Sequence, residues 1–195
     1  MAKLYFKYGV MGSSKSAQAL ITQFNYEEKG MSVWLIKPST DTRDGADVIR
    51  SRIGLEQHAQ IITPEQDITE EYLRAGKHDV IIADEAQFFT PGQIDQLRTL
   101  VDEEDIPVLC FGLRTDFQTH FFPGARRLME LADSLMELKT VCACGRKATV
   151  NARIDGQGRI VTEGAQVMLG GNDSYTAMCH QCWTRKIREQ KEQGL

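Results

Sequence analysis

The chain has 195 residues, 42% of them hydrophobic and 26% charged, a balance that suits one folded domain with or without a small appendage and excludes a disordered chain. Basic side chains number 23 against 27 acidic ones, so the net charge is −4, which argues against nucleic acid or an anionic membrane as partner. Lys3 and Lys7 interrupt the N-terminal segment, so no export signal is expected there, and no apolar run approaches the ~18 residues of a membrane span. A cytoplasmic location is the expectation.

The first two-thirds of the sequence alternate strand and helix signals. Leu4 to Tyr8 reads as an aromatic-rich strand, and Ser16 to Lys29 as a helix with Ala17, Leu20, Ile21 and Phe24 at helical spacing. Val33 to Lys37 is a second strand, halted at Pro38, and Ser39 to Gly54 is polar enough to predict a loop. A short helix over Thr69 to Ala75 and a buried strand over Val80 to Ala83 follow. Pro91 opens a helix reaching about Asp105, with Ile94, Leu97, Leu100 and Val101 on one face, and Pro107 to Leu113 is a further strand. Short apolar strands between helices predict an α/β fold with a parallel sheet covered on both faces. Near Thr140 the pattern changes. Two β-prone runs between Ala148 and Thr162 flank Asp155-Gly156-Gln157-Gly158, which predicts a hairpin, and Trp183 to Gln193 is helical. The expected division is residues 1–139 and 140–195.

Gly9-Val10-Met11-Gly12-Ser13-Ser14-Lys15-Ser16 follows the first strand and opens the first helix, the context in which G-x-x-x-x-G-K-[ST] cradles phosphates. Backbone N–H groups around Gly12 to Lys15 and the helix N-terminus attract the anion. Lys15 would reach the β- and γ-phosphates of ATP, and the Ser16 hydroxyl would ligate Mg²⁺. Ser14 stands where the motif has glycine; a left-handed backbone there would carry strain of about 1 kcal/mol. The strand Val80 to Ala83 ends in Asp84 and Glu85. Asp84 suits the Mg²⁺ shell, and Glu85 suits a general base accepting a proton from an attacking hydroxyl.

Five cysteines remain to be placed. Cys142 and Cys144, with Cys179 and Cys182, form two short-spaced pairs that predict a tetrahedral all-thiolate Zn²⁺ site holding a small module together. His180 between the second pair reads as a solvated neighbour, and Cys110, inside a predicted strand, as core.

Together these pieces resemble the thymidine kinases of the cytosolic and bacterial, zinc-containing type. The resemblance covers nearly the whole chain. It rests on Met11 in the phosphate loop, Asp41-Thr42-Arg43, Asp84-Glu85-Ala86-Gln87-Phe88 and Gly112-Leu113-Arg114-Thr115-Asp116-Phe117, with the cysteine pairs and Gly170-Gly171-Asn172-Asp173-Ser174-Tyr175. It implies transfer of the ATP γ-phosphoryl to the 5′-hydroxyl of thymidine, on a P-loop sheet joined to a zinc-held lasso loop at about residues 164–175. Glu85 then matches the catalytic base, Arg43 a cation at the transferred phosphoryl, and Asp41 a residue of the same loop. Met11, Phe88, Leu113, Phe117, Phe122, Met168 and Tyr175 match the walls of the nucleoside pocket. The resemblance also implies a homotetramer and feedback inhibition by thymidine triphosphate. Two other readings stay open: a nucleotide-binding regulatory protein with little or no kinase activity because of Ser14, and a nucleic-acid-stimulated ATPase using Arg185, Lys186, Arg188 and Lys191.

Overall fold

A computed structural model describes residues 1–40, 47–167 and 174–194. In chain order the elements are β1 (Leu4–Tyr8), α1 (Lys15–Glu27), β2 (Val33–Pro38), β3 (Val48–Arg50), β4 (Glu56–His58), β5 (Gln60–Ile62), α2 (Ile68–Ala75) and β6 (Val80–Ala83). A 3₁₀ turn (Ala86–Phe88), α3 (Pro91–Glu103), β7 (Val108–Gly112), α4 (Pro123–Leu131), β8 (Ser134–Glu137), β9 (Val150–Arg153), β10 (Tyr175–Met178) and α5 (His180–Glu192) follow.

Among the described residues, six strands form one sheet in the order β5-β2-β6-β7-β1-β8, every pairing parallel. Successive side chains on a strand face opposite ways, and the sheet uses both faces for core. From β1 and β6, Leu4, Phe6, Ile81 and Ala83 point to the cluster beneath α2, α3 and α4, while Tyr5, Val80 and Ile82 point to the cluster with α1. Local chemistry fixes the helix starts. Asp67 accepts from the N–H groups of Thr69 and Glu70 ahead of α2, and Thr90 with Gln93 forms a reciprocal capping box at α3, where Pro91 sits in the first turn.

The parallel sheet with helices on both faces is the predicted one, and most predicted elements lie within two residues of their observed limits. Several features differ. Part of the predicted loop Ser39 to Gly54 is strand: Val48–Arg50 pairs antiparallel with Glu56–His58. Both pieces are three residues long, and of the six side chains only Ile49 is buried, so the pair is too short and too polar to show the alternation that marks a half-buried strand. The sequence reading has no counterpart for β5, or for α4 and the edge strand β8, whose Leu135 and Met136 face outward. The turn at Asp155 to Gly158 forms, closed by Asp155 N–H to Arg159 O at 3.0 Å and by an Ile154–Ile160 bridge. Val161 N–H continues the hairpin to Arg153 O at 2.9 Å, and β9 also pairs antiparallel with β10, a partner distant in sequence.

Candidate active site and cysteine cluster

Parallel sheets bind ligands beyond the carboxyl ends of their strands, and here those ends carry the polar residues singled out from sequence. The loop from Gly9 to Ser14 leaves β1 and enters α1. Ser13 N–H reaches Val10 O at 3.2 Å, and Gly9 N–H reaches Gly112 O at the end of β7 at 3.2 Å. Gly9 is required by close approach: a Cβ there would collide with Leu138 O and the Ser13 hydroxyl. The backbone turns left-handed at Gly12 (φ 75°) and at Ser14 (φ 60°, ψ 28°). Ser14 thus keeps the conformation that the motif assigns to glycine and carries the strain expected of a side chain there. Lys15, 8% exposed, folds over its own loop and donates to Val10 O at 2.9 Å and Ser13 Oγ at 3.4 Å.

Asp84 and Glu85 close β6. Asp84 is 3% exposed, and its Oδ1 has no hydrogen-bond partner among the described residues. Burial, with the charge of Glu85 second, pushes its carboxyl up to about 7, while the Ser16 hydroxyl and Lys15 ammonium pull the other way. A buried carboxylate with an orphaned oxygen beside a serine hydroxyl is a donor set suited to a divalent cation, which would satisfy that atom and favour its ionised form. Glu85 takes a left-handed backbone (φ 49°), so its side chain leaves β6 in a different direction from that of Asp84. A cleft of about 120 Å³ brings together Met11, Gly12, Ser14, Lys15, Ser16, Asp84, Glu85 and Leu113, roofed by Ile49 to Ile53 from the β3–β4 hairpin.

The other predicted pocket residues divide into two groups. Phe88 and Phe122 meet edge-on at 5.5 Å in the same apolar cluster as Leu113 and Met11. Phe117, 1% exposed, lies under the Arg153 guanidinium at 3.7 Å, and Arg153 also donates to the Tyr175 hydroxyl at 2.8 and 2.6 Å. Asp41, Arg43 and Met168 lie outside the described residues, as do residues 168–173 of the expected lasso loop.

Three side chains that sequence reading passed over connect these groups. Arg153, 4% exposed, extends to the carbonyls of Ala165 and Gln166 at 3.0 and 3.3 Å, fixing the start of the loop before the nucleoside residues. Asn151, 1% exposed and on the same face of β9, accepts from Met11 N–H at 2.7 Å and donates to Thr115 O at 2.8 Å. The phosphate loop is thereby fastened to the C-terminal module. Gln87, 1% exposed, lies between Glu85 and Leu113. The available signal for the β9 pair was two polar residues at period two inside a β-prone run; Gln87 had only its place beside Glu85.

The four paired cysteines converge. Their sulfurs all lie within 4.8 Å of one another, with Cys144 Sγ and Cys179 Sγ 3.7 Å apart. Four Zn–S bonds of about 2.3 Å in a tetrahedron separate sulfurs by roughly 3.8 Å, so the set fits a closed, structural zinc site. The C-x-C spacing is accommodated by a tight turn, in which Gly145 (φ 83°) donates to Cys142 O at 2.8 Å. Backbone N–H groups of Cys144 and Cys179 hold the Cys142 thiol down at about 6, toward the thiolate a metal needs. His180 packs edge-on against Trp183 outside the cluster, and Cys110 is fully buried in β7, its thiol pushed up by burial.

A family model described as thymidine kinase matches residues 2–183. The chain is 46% identical over 186 residues to a thymidine kinase of Ruegeria pomeroyi, covering 94% of each chain. It is 48% identical to one of Legionella pneumophila, covering 92% of this chain and 88% of the relative. To that of Pasteurella multocida it is 44% identical, covering 96% and 99%. With the family model spanning residues 2–183 and these relatives at 44–48% identity over most of the chain, the chain belongs to the thymidine kinase family.

Proposed function

We propose that this protein is an ATP-dependent thymidine kinase that transfers the γ-phosphoryl group to the nucleoside 5′-hydroxyl. The observation that carries the reading is the convergence of Lys15, Asp84 and Glu85 with Met11 and Leu113 on one cleft, in a chain matching the family over residues 2–183. Backbone N–H groups of the loop and Lys15 bind and orient the phosphates. Ser16 and Asp84 would hold Mg²⁺, which would supply charge neutralisation to the bound phosphates. Glu85 accepts the proton of the attacking hydroxyl, and Arg43, with Asp41 in the same loop, meets the charge on the transferred group. Met11, Phe88, Leu113, Phe117, Phe122, Met168 and Tyr175 wall the nucleoside, the loop being seated by Arg153 and by a zinc ion on Cys142, Cys144, Cys179 and Cys182.

The proposal extends to a two-domain chain divided near residue 140, cytoplasmic and homotetrameric, with thymidine triphosphate as feedback inhibitor. Exposed apolar residues on α1 (Ile21, Phe24) and on the edge strand β8 (Leu135, Met136) support the self-association. The left-handed backbone of Ser14 weighs against a crippled nucleotide switch, because the loop keeps the shape that phosphate binding needs. No described helix is long and apolar enough to cross a membrane.

The test is ADP release in the presence and absence of thymidine. Release should depend on thymidine, and Glu85→Gln should cut turnover by roughly 10²–10⁴-fold, the usual worth of general acid–base catalysis, while ATP still binds. Turnover within a few-fold of wild type in that variant removes Glu85 from the role.

A further inference from the structure

Asp84-Glu85-Ala86-Gln87 runs from the end of β6 into a single 3₁₀ turn. Within it, Gln87 is almost wholly buried, and both ends of its amide are engaged. Its Oε1 accepts from Leu113 N–H at 2.9 Å, and its Nε2 donates to Glu85 Oε2 at 2.6 Å. The orientation of the amide is forced. Leu113 N–H can only donate, so the carbonyl end must face β7 and the NH₂ end must face the carboxylate. Two other features of the chain are shaped around this side chain. A Cβ on Gly112 would lie 2.5 Å from Gln87 Oε1 and 3.1 Å from its backbone nitrogen, so residue 112 must be glycine for the amide to seat. On the other side, Gly124 at the start of α4 packs so closely on the turn that a Cβ there would lie 2.9 Å from Gln87 O and 3.0 Å from Ala86 O.

Glu85 needs such a support. Its backbone sits in the left-handed region, which a non-glycine side chain enters only when its surroundings hold it there, and the next β-strand, β7, ends in the glycine that admits Gln87. A base must meet the proton it removes within hydrogen-bond reach, and misplacement by about 1 Å costs on the order of 10² in rate. We propose that Gln87 is the positioning residue of the phosphoryl transfer: it fixes the Glu85 carboxylate against the end of β7, so that the base and the Leu113 wall of the nucleoside pocket are held in one register. The proposal rests on the assignment of Glu85 as the base.

Three variants separate the possibilities: Gln87→Glu, Gln87→Leu, and Gln87→Glu combined with Glu85→Gln. The first keeps an acceptor for Leu113 N–H, and in its ionised form it can no longer donate to Glu85. The second removes both contacts. Thymidine phosphorylation is measured at saturating ATP, together with binding of a non-hydrolysable ATP analogue to count folded sites. The expected result for Gln87→Glu is a kcat ~10–100-fold lower per folded site, with KM for thymidine changed less than threefold and analogue affinity unchanged. Gln87→Leu should match that loss in kcat and also raise KM for thymidine. In the double variant, the loss should be no larger than in Glu85→Gln alone, because a residue that acts through Glu85 has nothing left to position. A Gln87→Glu enzyme with wild-type kcat per folded site overturns the proposal, as does a full multiplicative loss in the double variant. If Glu85→Gln itself turns over at near wild-type rate, it is the underlying assignment of the base that fails, whatever Gln87 does.

Discussion

The sheet and the C-terminal cysteine module are held together by different means. The sheet half is dense with fully buried aliphatic and aromatic side chains: Leu4, Phe6, Ile36, Ile62, Ile81, Ile82, Ile94 and Phe111 are all 0% exposed. The module gathers a cluster around Ala148, Ala152, Ile160 and Met178 in which Cys142 and Cys179 are themselves members, and α5 contributes no fully buried residue. Apolar burial of roughly 25 cal/mol per Å² folds the first without help, while the second has too little of it and leans on its thiolates. The contrast separates stability from specificity. On the proposed function, phosphate chemistry would sit on the rigid part, at strand ends that cannot move without breaking the core, and the nucleoside would be closed in by a loop of the part that carries the cysteine cluster.

That contrast can be broken by stripping the metal. Chelation should raise Kd for thymidine by at least tenfold, about 1.4 kcal/mol, while affinity for an ATP analogue stays within about twofold. Titration calorimetry with each ligand reads both. Equal losses would mean that the cysteine cluster supports the whole molecule and that the two halves are not separable. A smaller effect belongs to the phosphate loop. Ser14→Gly relieves a left-handed side chain worth about 1 kcal/mol, so thermal melting should rise by ~2–4 °C with the sheet half responding and the module unaffected. A melting point that falls would show that the Ser14 side chain holds the loop instead of straining it.

The smallest effect concerns the far end of β1, where the Asp133 carboxylate accepts from Leu4 N–H at 2.8 Å and from Arg98 Nη1 at 2.6 Å. The Leu4 N–H, first, and then the Arg98 guanidinium hold this carboxyl below the usual range. Its folded-state value is depressed, so its stabilisation is present above about pH 4, the unfolded value, and fades as pH falls through the folded one. Asp133→Asn should therefore melt slightly below wild type at pH 7, and the gap should close toward pH 3. A gap that widens in acid would contradict that sign.

Much of this was legible in the sequence for reasons that are local. The phosphate loop, the strand ending in Asp84 and Glu85, and the cysteine pairs are contiguous patterns whose geometry follows from a few neighbouring residues. What escaped was relational. Asn151 and Arg153 acquire their roles only because β9 pairs with β10 and turns that face toward Met11, Thr115, Phe117 and Tyr175. Gln87 is an ordinary amide until β7 arrives beside it with Gly112 and the N–H of Leu113. The β3–β4 hairpin was hidden for another reason. Its composition is that of a loop, and it is anchored by two long-range contacts: Ile49 buried in the cluster with α1, and Lys37, whose Nζ donates to Val48 O at 3.0 Å.

The most direct test of the central claim is the identity of the product. Purified, metal-loaded protein is mixed with thymidine and ATP labelled in the γ-phosphoryl, and the label is followed by chromatography. Label should move to the 5′-oxygen of thymidine in step with ADP formation. Label released as inorganic phosphate, with none on the nucleoside, would contradict it.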